Sequence, residues 1–485
     1  MALNPPPRHV VVVGGGITGL AAALRICDST DHDAIPTCVT LLEQSDRLGG
    51  KLRSATLEWD GGAQHIELGA DSFLARTPAG MQLVERLGLK SELVHPGTGR
   101  AHIALPGGLR ALPVDTVMGI PASPLALAEA GLVSAASVAR MLAEPDEPGE
   151  PVVDDISVGT LIRRRLGDEV VDNVIDPLLG GIYAGDVDKL SLQATMPALA
   201  ERLRDQPSLV RAAQAVCTAR VGTGHTFATV RGGMDRFVSE LERALHSSRS
   251  DAGPRVKVRC GSAVRRLRRT GEGWELTLGP ATGGEALRAD AVLLAAPART
   301  ARRLLQETVP GAAAELAGIE YASVAVINIV LPDVALPSGS GVLIPSFAGR
   351  AVKAVTFVDQ KWHRDARGVR LLRASVGRYG EEARLWRANA DLVELVLAEL
   401  AEVLGPLPEP LAARVQRWGG ALPQYLVGHT DRVSSAREQI APLGGLALAG
   451  AGYDGVGVAA SIAAAYQAAD ELVARFSVVG KGEPR

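Results

Sequence analysis

Cysteine is scarce in this sequence, and none of the four (Cys27, Cys38, Cys217 and Cys260) stands in a C-x-x-C pair. That spacing argues against a zinc ribbon or a disulfide framework and suits a reducing, cytoplasmic setting. Charge of one sign is lacking as well: 51 Lys and Arg oppose 54 Asp and Glu, a net −3. With no basic tail and no Lys/Arg block interleaved with aromatics, nucleic acid is not an expected partner. None of the nine histidines has metal-ligand spacing, so no metal site is expected. Long hydrophobic runs are also missing. The most apolar candidate, Met118 to Ala143, carries Pro121, Pro124, Glu129 and Arg140, and a spanning helix wants about 20 mostly apolar residues. It reads as buried or partner-facing helix rather than membrane-contact surface. No charged n-region or cleavage site opens the chain. What is there, 47% apolar and 22% charged residues over 485 positions, is a globular composition too long for one core.

The strongest positive signal is VVVVGGGITGLAAAL, Val10 to Leu24. A β-branched run predicts a parallel strand buried on both faces. Gly14-Gly15-Gly16-Ile17-Thr18-Gly19 then fits G-x-G-x-x-G: Gly14 for the tight turn, Gly16 for backbone approach to a pyrophosphate, Gly19 for close packing of the helix that follows. That helix aims its N–H groups at the anion. A second strand, Thr37 to Leu42, ends in Glu43, the spacing at which an acid takes the ribose hydroxyls of a dinucleotide.

The next stretch, EQSDRLGGKLRS (Glu43–Ser54), resembles the second fingerprint of the flavin-containing amine oxidase and phytoene desaturase superfamily. The resemblance implies FAD as cofactor. It puts Glu43 and Gln44 near the adenosine ribose, and Arg47, Gly49, Gly50 and Lys51 on the phosphate and ribityl side. The superfamily more often has Arg at the position of Lys51. GLALAGAGYDGVGVAASIAAAYQAADEL (Gly445–Leu472) resembles its C-terminal FAD motif, with Gly450, Gly455, Val456, Gly457 and Val458 against the flavin. A helix dipole there would stabilise an anionic reduced flavin. The stretch from Val230 to Leu305 resembles the middle FAD section, where Val264 would meet the adenine through its backbone. Leu68, Gly69, Ala70 and Asp71 fall where the superfamily chain passes under the flavin.

These resemblances imply an α/β fold: a Rossmann-like FAD domain assembled from 1–71, 216–299 and 440–485. A mixed α+β substrate domain (72–112 and 300–439) and a helical domain (113–215) interleave with it. Within 300–417, SVAVINIVL, AVKAVTFV and RLLRASVGRYG are expected strands and Ala383–Leu404 an expected helix.

Three further stretches narrow the likeness. SVGTLIRRRLGDEVVDNVIDPLLGGIYAGDVDKLS (Ser157–Ser191) and RWGGALPQYLVGHTDRV (Arg417–Val433) resemble the hallmarks of porphyrinogen oxidases, flavoenzymes of haem biosynthesis. KWHRDARGVRLLRASVGRYG (Lys361–Gly380) is similar to their soluble branch, which acts on coproporphyrinogen III. The resemblance implies six-electron aromatisation of a tetrapyrrole by hydride transfer to flavin N5, with molecular oxygen as acceptor and hydrogen peroxide as product; protoporphyrinogen IX is the alternative substrate. Contact with the next enzyme of the pathway stays open. Such chemistry needs orientation and water exclusion more than a strong base. Asp71 would orient a pyrrole N–H, or else close a strand as a turn residue. Arg76 and Arg100, with Arg110, are candidates for substrate propionates. Leu343 and Phe357 are candidate pocket walls, or ordinary core. Trp418 would lie against the flavin, with Tyr425 in the same hallmark. Two other classes compete. An amine oxidase with covalent flavin would need a cysteine just before the C-terminal motif, and none is there. A non-catalytic FAD-fold binding protein would not need intact phosphate-side glycines.

Overall fold

The computed structural model describes residues 7–31, 35–113, 116–147, 149–219, 225–250, 253–279, 283–364 and 368–479. Of the stretches read above, Val230–Leu305 lies outside them at 251–252 and 280–282, and Lys361–Gly380 at 365–367. The valine run forms the central strand Arg8–Val13 of a five-stranded parallel sheet. In spatial order the strands are Val256–Arg259, Thr37–Leu42, Arg8–Val13, Ala291–Leu294 and Leu446–Leu448. The sheet thus draws on the beginning, middle and end of the chain. Helices Ile17–Ser29, Met234–Ser247 and Val458–Val479 bury their apolar stripes on one face, around Leu20, Leu24, Phe237 and Ile462. The other face is covered by helices Ala298–Leu305, Pro310–Ala317 and His429–Ile440 and by a small antiparallel sheet that contributes Trp274. Both faces are dry, which is why the strands carry no alternation.

A seven-stranded sheet stands beside this unit. Its order is Ala412–Pro423, Tyr321–Pro332, Val369–Val376, Val352–Phe357, Gly341–Leu343, Ala101–Leu105 and Gly108–Ala111. Helix Asn389–Leu404 packs on one face, burying Leu392, Val396 and Leu400 against Ile327, Val355 and Ala374. That helix starts later than the expected Ala383. Residues Glu382–Trp386 form a 3₁₀ turn, and Arg387 and Ala388 are extended. Arg417 explains the break: its guanidinium takes the carbonyls of Leu385 and Arg387 and the side chain of Asn389, so the backbone there bonds sideways instead of along a helix.

Helices between Pro124 and Ala219 form the third core, with Leu127, Leu132, Val138 and Met141 of the apolar 118–143 stretch buried in it. Leu125 and Leu142 face outward. Among the described residues, no helix is long and apolar enough to cross a membrane.

Candidate active site

The glycine turn has the shape the spacing predicts, and each glycine has a separate cause. Gly14 sits at φ +116°. A methyl on Gly19 would stand 1.8 Å from the carbonyl oxygen of Gly14, so only hydrogen lets the helix close on the strand. A methyl on Gly16 would meet nothing within 4 Å. That open space lies at the start of helix Ile17–Ser29, whose first turn has no side-chain cap and no acid. Unpaired N–H donors facing open space fit a pyrophosphate.

The second loop leans on the first. Gly49 N–H donates to the Gly15 carbonyl at 2.8 Å, and a methyl on Gly50 would stand 3.1 Å from Gly16 Cα. Glu43 accepts the Gly15 N–H at 2.7 Å through Oε2, and Ser45 through Oε1. Arg47 is spent on its own loop, donating to the carbonyls of Leu48, Gly50 and Leu52. It shapes the loop rather than standing free as a phosphate counter-charge. Lys51 turns toward the other sheet and donates to the Ala421 carbonyl. Burial, then Arg299, lowers its pKa to about 8. Among the described residues no carboxylate pairs with it, and a buried cation of that kind suits an anionic cofactor.

The C-terminal turn joins this cradle. Gly450 stands so that a methyl would be 3.5 Å from Thr18 Oγ1. Gly455 and Gly457 adopt φ +132° and +106° just before helix Val458–Val479 begins. Val456 packs toward the helical core.

From here Glu67–Asp71 runs beneath the seven-stranded sheet, which reaches down to it at three points. Asn328 Nδ2 donates to the Glu67 carbonyl at 3.1 Å, Trp418 Nε1 to the Leu68 carbonyl at 2.7 Å, and Arg373 to the Gly69 carbonyl. A methyl on Gly69 would collide with the Lys51 carbonyl at 1.8 Å. Register places Asn328 opposite Arg373, and Arg373 opposite Thr356, so these residues share one sheet face. Ser375, Ala354 and Leu343 lie on the same face by the same pairing. Asp71 stands at its edge. Its Oδ2 accepts from Lys361 at 2.9 Å and its Oδ1 from Ser72 at 2.9 Å. Burial opposes its charge, but the Lys361 ammonium and the Arg373 guanidinium prevail and hold its carboxyl well below the usual carboxylate range.

Of the candidate walls, Leu343 is on the face toward Leu68–Asp71 and meets helix Asp176–Tyr183, where a methyl on Gly181 would be 3.5 Å from it. Phe357 is on the far face, 0% exposed and packed with the residues that helix Asn389–Leu404 covers. Val264 is buried in the small antiparallel sheet, and its carbonyl is taken by Arg303 at 2.8 Å. Arg76 is exposed beside Ala75, which pairs with Thr226. Arg100 is exposed too, and its carbonyl accepts from Ser340. Arg110 is opposite Ile103, itself opposite Leu343, so register brings it to the face that holds Leu343.

Sequence reasoning passed over Asn328, Lys353 and Arg373. Asn328 and Lys353 are the one amide and the one charged residue in largely apolar strands, and that was the available signal; Arg373 shares its strand with Arg370 and Ser375 and gave none. Lys353 is buried and donates to the carbonyls of Gly180 and Gly181 at 3.2 and 3.4 Å. Burial, then Arg378 and Arg373, pushes it down to about 7.

Comparison with known proteins adds three findings. The family model described as flavin containing amine oxidoreductase matches residues 17–473. A coproporphyrinogen III oxidase of Bacillus subtilis (strain 168) is 36% identical over 464 residues, covering 93% of this chain and 95% of its own; one of Mycobacterium leprae is 36% identical over 474 residues, covering 97% and 99%. A crystal structure from Exiguobacterium sp. 255-15, provisionally named protoporphyrinogen oxidase, superposes with a TM-score of 0.81 at 32% identity, covering 96% of this chain and 99% of its own.

Proposed function

This chain belongs to the flavin-containing amine oxidoreductase family, and on that premise we propose that it oxidises coproporphyrinogen III to coproporphyrin III for haem biosynthesis. It is a flavin oxidoreductase with FAD as its cofactor. One observation carries the proposal beyond the family. A single sheet face reaches onto the segment that follows the cofactor turns, through Asn328, Trp418 and Arg373. Residues Leu343, Ala354, Thr356 and Ser375 continue that face, half-buried. The result is a half-buried floor of mixed polar and apolar side chains beside a cofactor cradle, suited to a large macrocycle that carries N–H groups.

FAD, when bound, would supply the two-electron acceptor for hydride leaving a bridge carbon, with dioxygen as the final acceptor and hydrogen peroxide as the product. Aromatisation removes six electrons in three such rounds, with three protons: three bridge carbons each give a hydride, two protons leave pyrrole N–H groups, and the third leaves the fourth bridge carbon by tautomerisation. The chain's own part is placement. The sheet face holds the macrocycle and excludes water. Ionised Asp71 accepts a hydrogen bond from a pyrrole N–H and offsets the positive charge left as hydride departs. No strong base is required, because that charge acidifies the N–H. Glu43 and the turns at Gly14–Gly16 and Gly450–Gly457 hold the dinucleotide; Lys51 and Trp418 hold its flavin end. Arginines at the rim take the carboxylates. The reading places the chain in the cytoplasm, in keeping with four cysteines that form no disulfide among the described residues.

The test is anaerobic addition of each porphyrinogen to the yellow holoenzyme, followed by kcat/KM in air from porphyrin fluorescence. Coproporphyrinogen III bleaches the flavin and is the preferred substrate. A preference for protoporphyrinogen IX overturns the substrate assignment, and a colourless protein that cannot be reconstituted with FAD overturns the reading entirely.

A further inference from the structure

Tyr425 is 1% exposed at a point where three parts of the chain meet, and the proposed reaction makes no use of it. Its hydroxyl accepts the Gly455 N–H at 2.7 Å and donates to the Ala451 carbonyl at 2.7 Å. One phenol oxygen therefore bridges both limbs of the C-terminal glycine turn. The ring stacks on His429 at 4.0 Å between centroids and tilts against Tyr183 at 5.7 Å. Tyr183 is the last residue of helix Asp176–Tyr183. The neighbouring Gln424 donates to the Tyr183 carbonyl at 2.8 Å, and the Tyr425 carbonyl accepts the Ser191 N–H at 2.7 Å.

The two ends of this connection differ in kind. At one end, Gly450, Gly455 and Gly457 all have positive φ, a region that favours glycine. Glycines have no preference of their own for that shape and lose the most freedom on adopting it. A fixed hydrogen-bonding partner on both limbs supplies what the residues lack. At the other end, helix Asp176–Tyr183 covers the sheet face proposed for the substrate, with Gly181 against Leu343 and the Gly180 carbonyl on Lys353. Anything that orders this helix orders Tyr183, and through it the ring of Tyr425.

We propose that Tyr425 is a positioning residue that holds the C-terminal turn in its cofactor-binding shape and links occupancy of the substrate face, through Tyr183, to retention of FAD. The first half rests on the assignment of FAD and the second on a tetrapyrrole substrate. By linkage, a ligand that favours one arrangement of the connection tightens the other site by the same factor.

Tyr425→Phe keeps the ring and removes the oxygen. The experiment measures the FAD dissociation rate from holoenzyme by recovery of flavin fluorescence, with and without saturating coproporphyrin III, alongside the Tm of the apoprotein. Without porphyrin, Tyr425→Phe releases FAD about tenfold faster than wild type while the apoprotein Tm holds, consistent with two lost hydrogen bonds. Porphyrin slows release about fivefold or more in wild type and has no effect in Tyr425→Phe. Tyr183→Leu leaves the hydroxyl clamp intact, so it releases FAD at the wild-type rate but loses the porphyrin effect. An unchanged rate in Tyr425→Phe overturns the clamp. A faster rate with an equally weakened apoprotein makes Tyr425 a general fold contact and overturns positioning. Porphyrin protection that survives in either variant overturns the link. If porphyrin does not bind wild type at all, the substrate reading fails and takes the link with it, while the clamp is still decided by the rate without porphyrin.

Discussion

The Lys361 ammonium lies 2.9 Å from the Asp71 carboxylate, across 290 positions of sequence, and joins the segment below the substrate face to the short helix Val358–Trp362 that follows strand Val352–Phe357. Both side chains are about one-sixth exposed, at 17% and 16%. Arg373 acts on the same carboxylate. Two cations about one anion leave a positive surplus, so the acid holds the cluster together.

Removal of that acid has two separable consequences. Asp71→Asn leaves two partly buried cations uncompensated and costs about 3 kcal/mol of stability. It also slows anaerobic flavin reduction by substrate while FAD stays bound. The double variant Asp71→Asn/Lys361→Met removes the stranded ammonium and regains most of the stability. Reduction stays slow in the double variant, since the anion facing the substrate is still absent. Stopped-flow reduction rates and urea midpoints on the three proteins separate the roles; recovery of both together would make Asp71 a structural partner only.

The glycine turn offers a contrast between two substitutions three residues apart. At Gly16 a side chain meets open space, and the backbone there is extended at φ −74°. Gly16→Val therefore folds to an apoprotein of near wild-type Tm, but its side chain fills the pyrophosphate position and the protein purifies colourless. At Gly19 the added methyl meets the Gly14 carbonyl at 1.8 Å. Gly19→Ala must push the helix off the strand and loses about 3 kcal/mol. Flavin absorbance per protein and apoprotein Tm decide the matter. Normal FAD content in Gly16→Val would show that the open space is not the phosphate site.

These local features were legible because their causes lie within one supersecondary unit. The strand, turn, helix and Glu43 follow from near neighbours, and Gly19 is explained by Gly14. The sheet above was less legible, for a physical reason. Strand Val352–Phe357 carries a register shift between Val352 and Ala354, so alternation counted from its first residue gives the wrong face for its last. Leu343 and Phe357, paired as walls in sequence, are on opposite faces because Leu343 pairs with Ala354, three residues before Phe357. Lys361 stood in a quoted stretch without a role because its partner is 290 residues away. Arg47 read as a free cation because its three carbonyl partners are backbone, which has no signature in side-chain pattern.

His429 predicts a pH dependence of stability. Burial, joined by Arg432, pushes its imidazole down to about 4, against the pull of the Tyr453 carbonyl and of Asp454 and Asp155. An unfolded histidine titrates near 6.5. Between those values the unfolded chain binds a proton that the folded chain refuses, so stability falls as pH drops from about 6.5 to about 4 and then levels for this group. The span corresponds to about 3 kcal/mol at most. His429→Phe keeps the stack on Tyr425 and removes the titration, so the urea midpoint of the variant declines less over that window. An identical slope in both proteins would place the proton elsewhere.

Discrimination between the two porphyrinogens should be governed by Arg110. The substrates share their ring and differ where two propionates replace two vinyls, so preference must arise at the edge of the floor. Register carries the floor outward from Leu343 to Ile103 and then to Arg110. The Arg110 side chain passes over Gly131 of the helical region, where a methyl would stand 3.1 Å from its Nε. A guanidinium at that edge pairs with a carboxylate and is left facing a vinyl group in the other substrate, which penalises the latter. Arg110→Ala is expected to lower the ratio of kcat/KM for coproporphyrinogen III over protoporphyrinogen IX by about tenfold, the size of one charge-assisted hydrogen bond. The loss falls mainly on KM, because the contact is equally present before and during hydride transfer. Arg76→Ala and Arg100→Ala serve as the comparison. Both residues are exposed, and Arg100 precedes the strand that register ties to the floor. A drop in the ratio confined to Arg76→Ala or Arg100→Ala would move the carboxylate site to the Ala75–Thr226 or the Arg100–Ser340 side of the protein; an unchanged ratio in all three would take the arginines out of substrate choice.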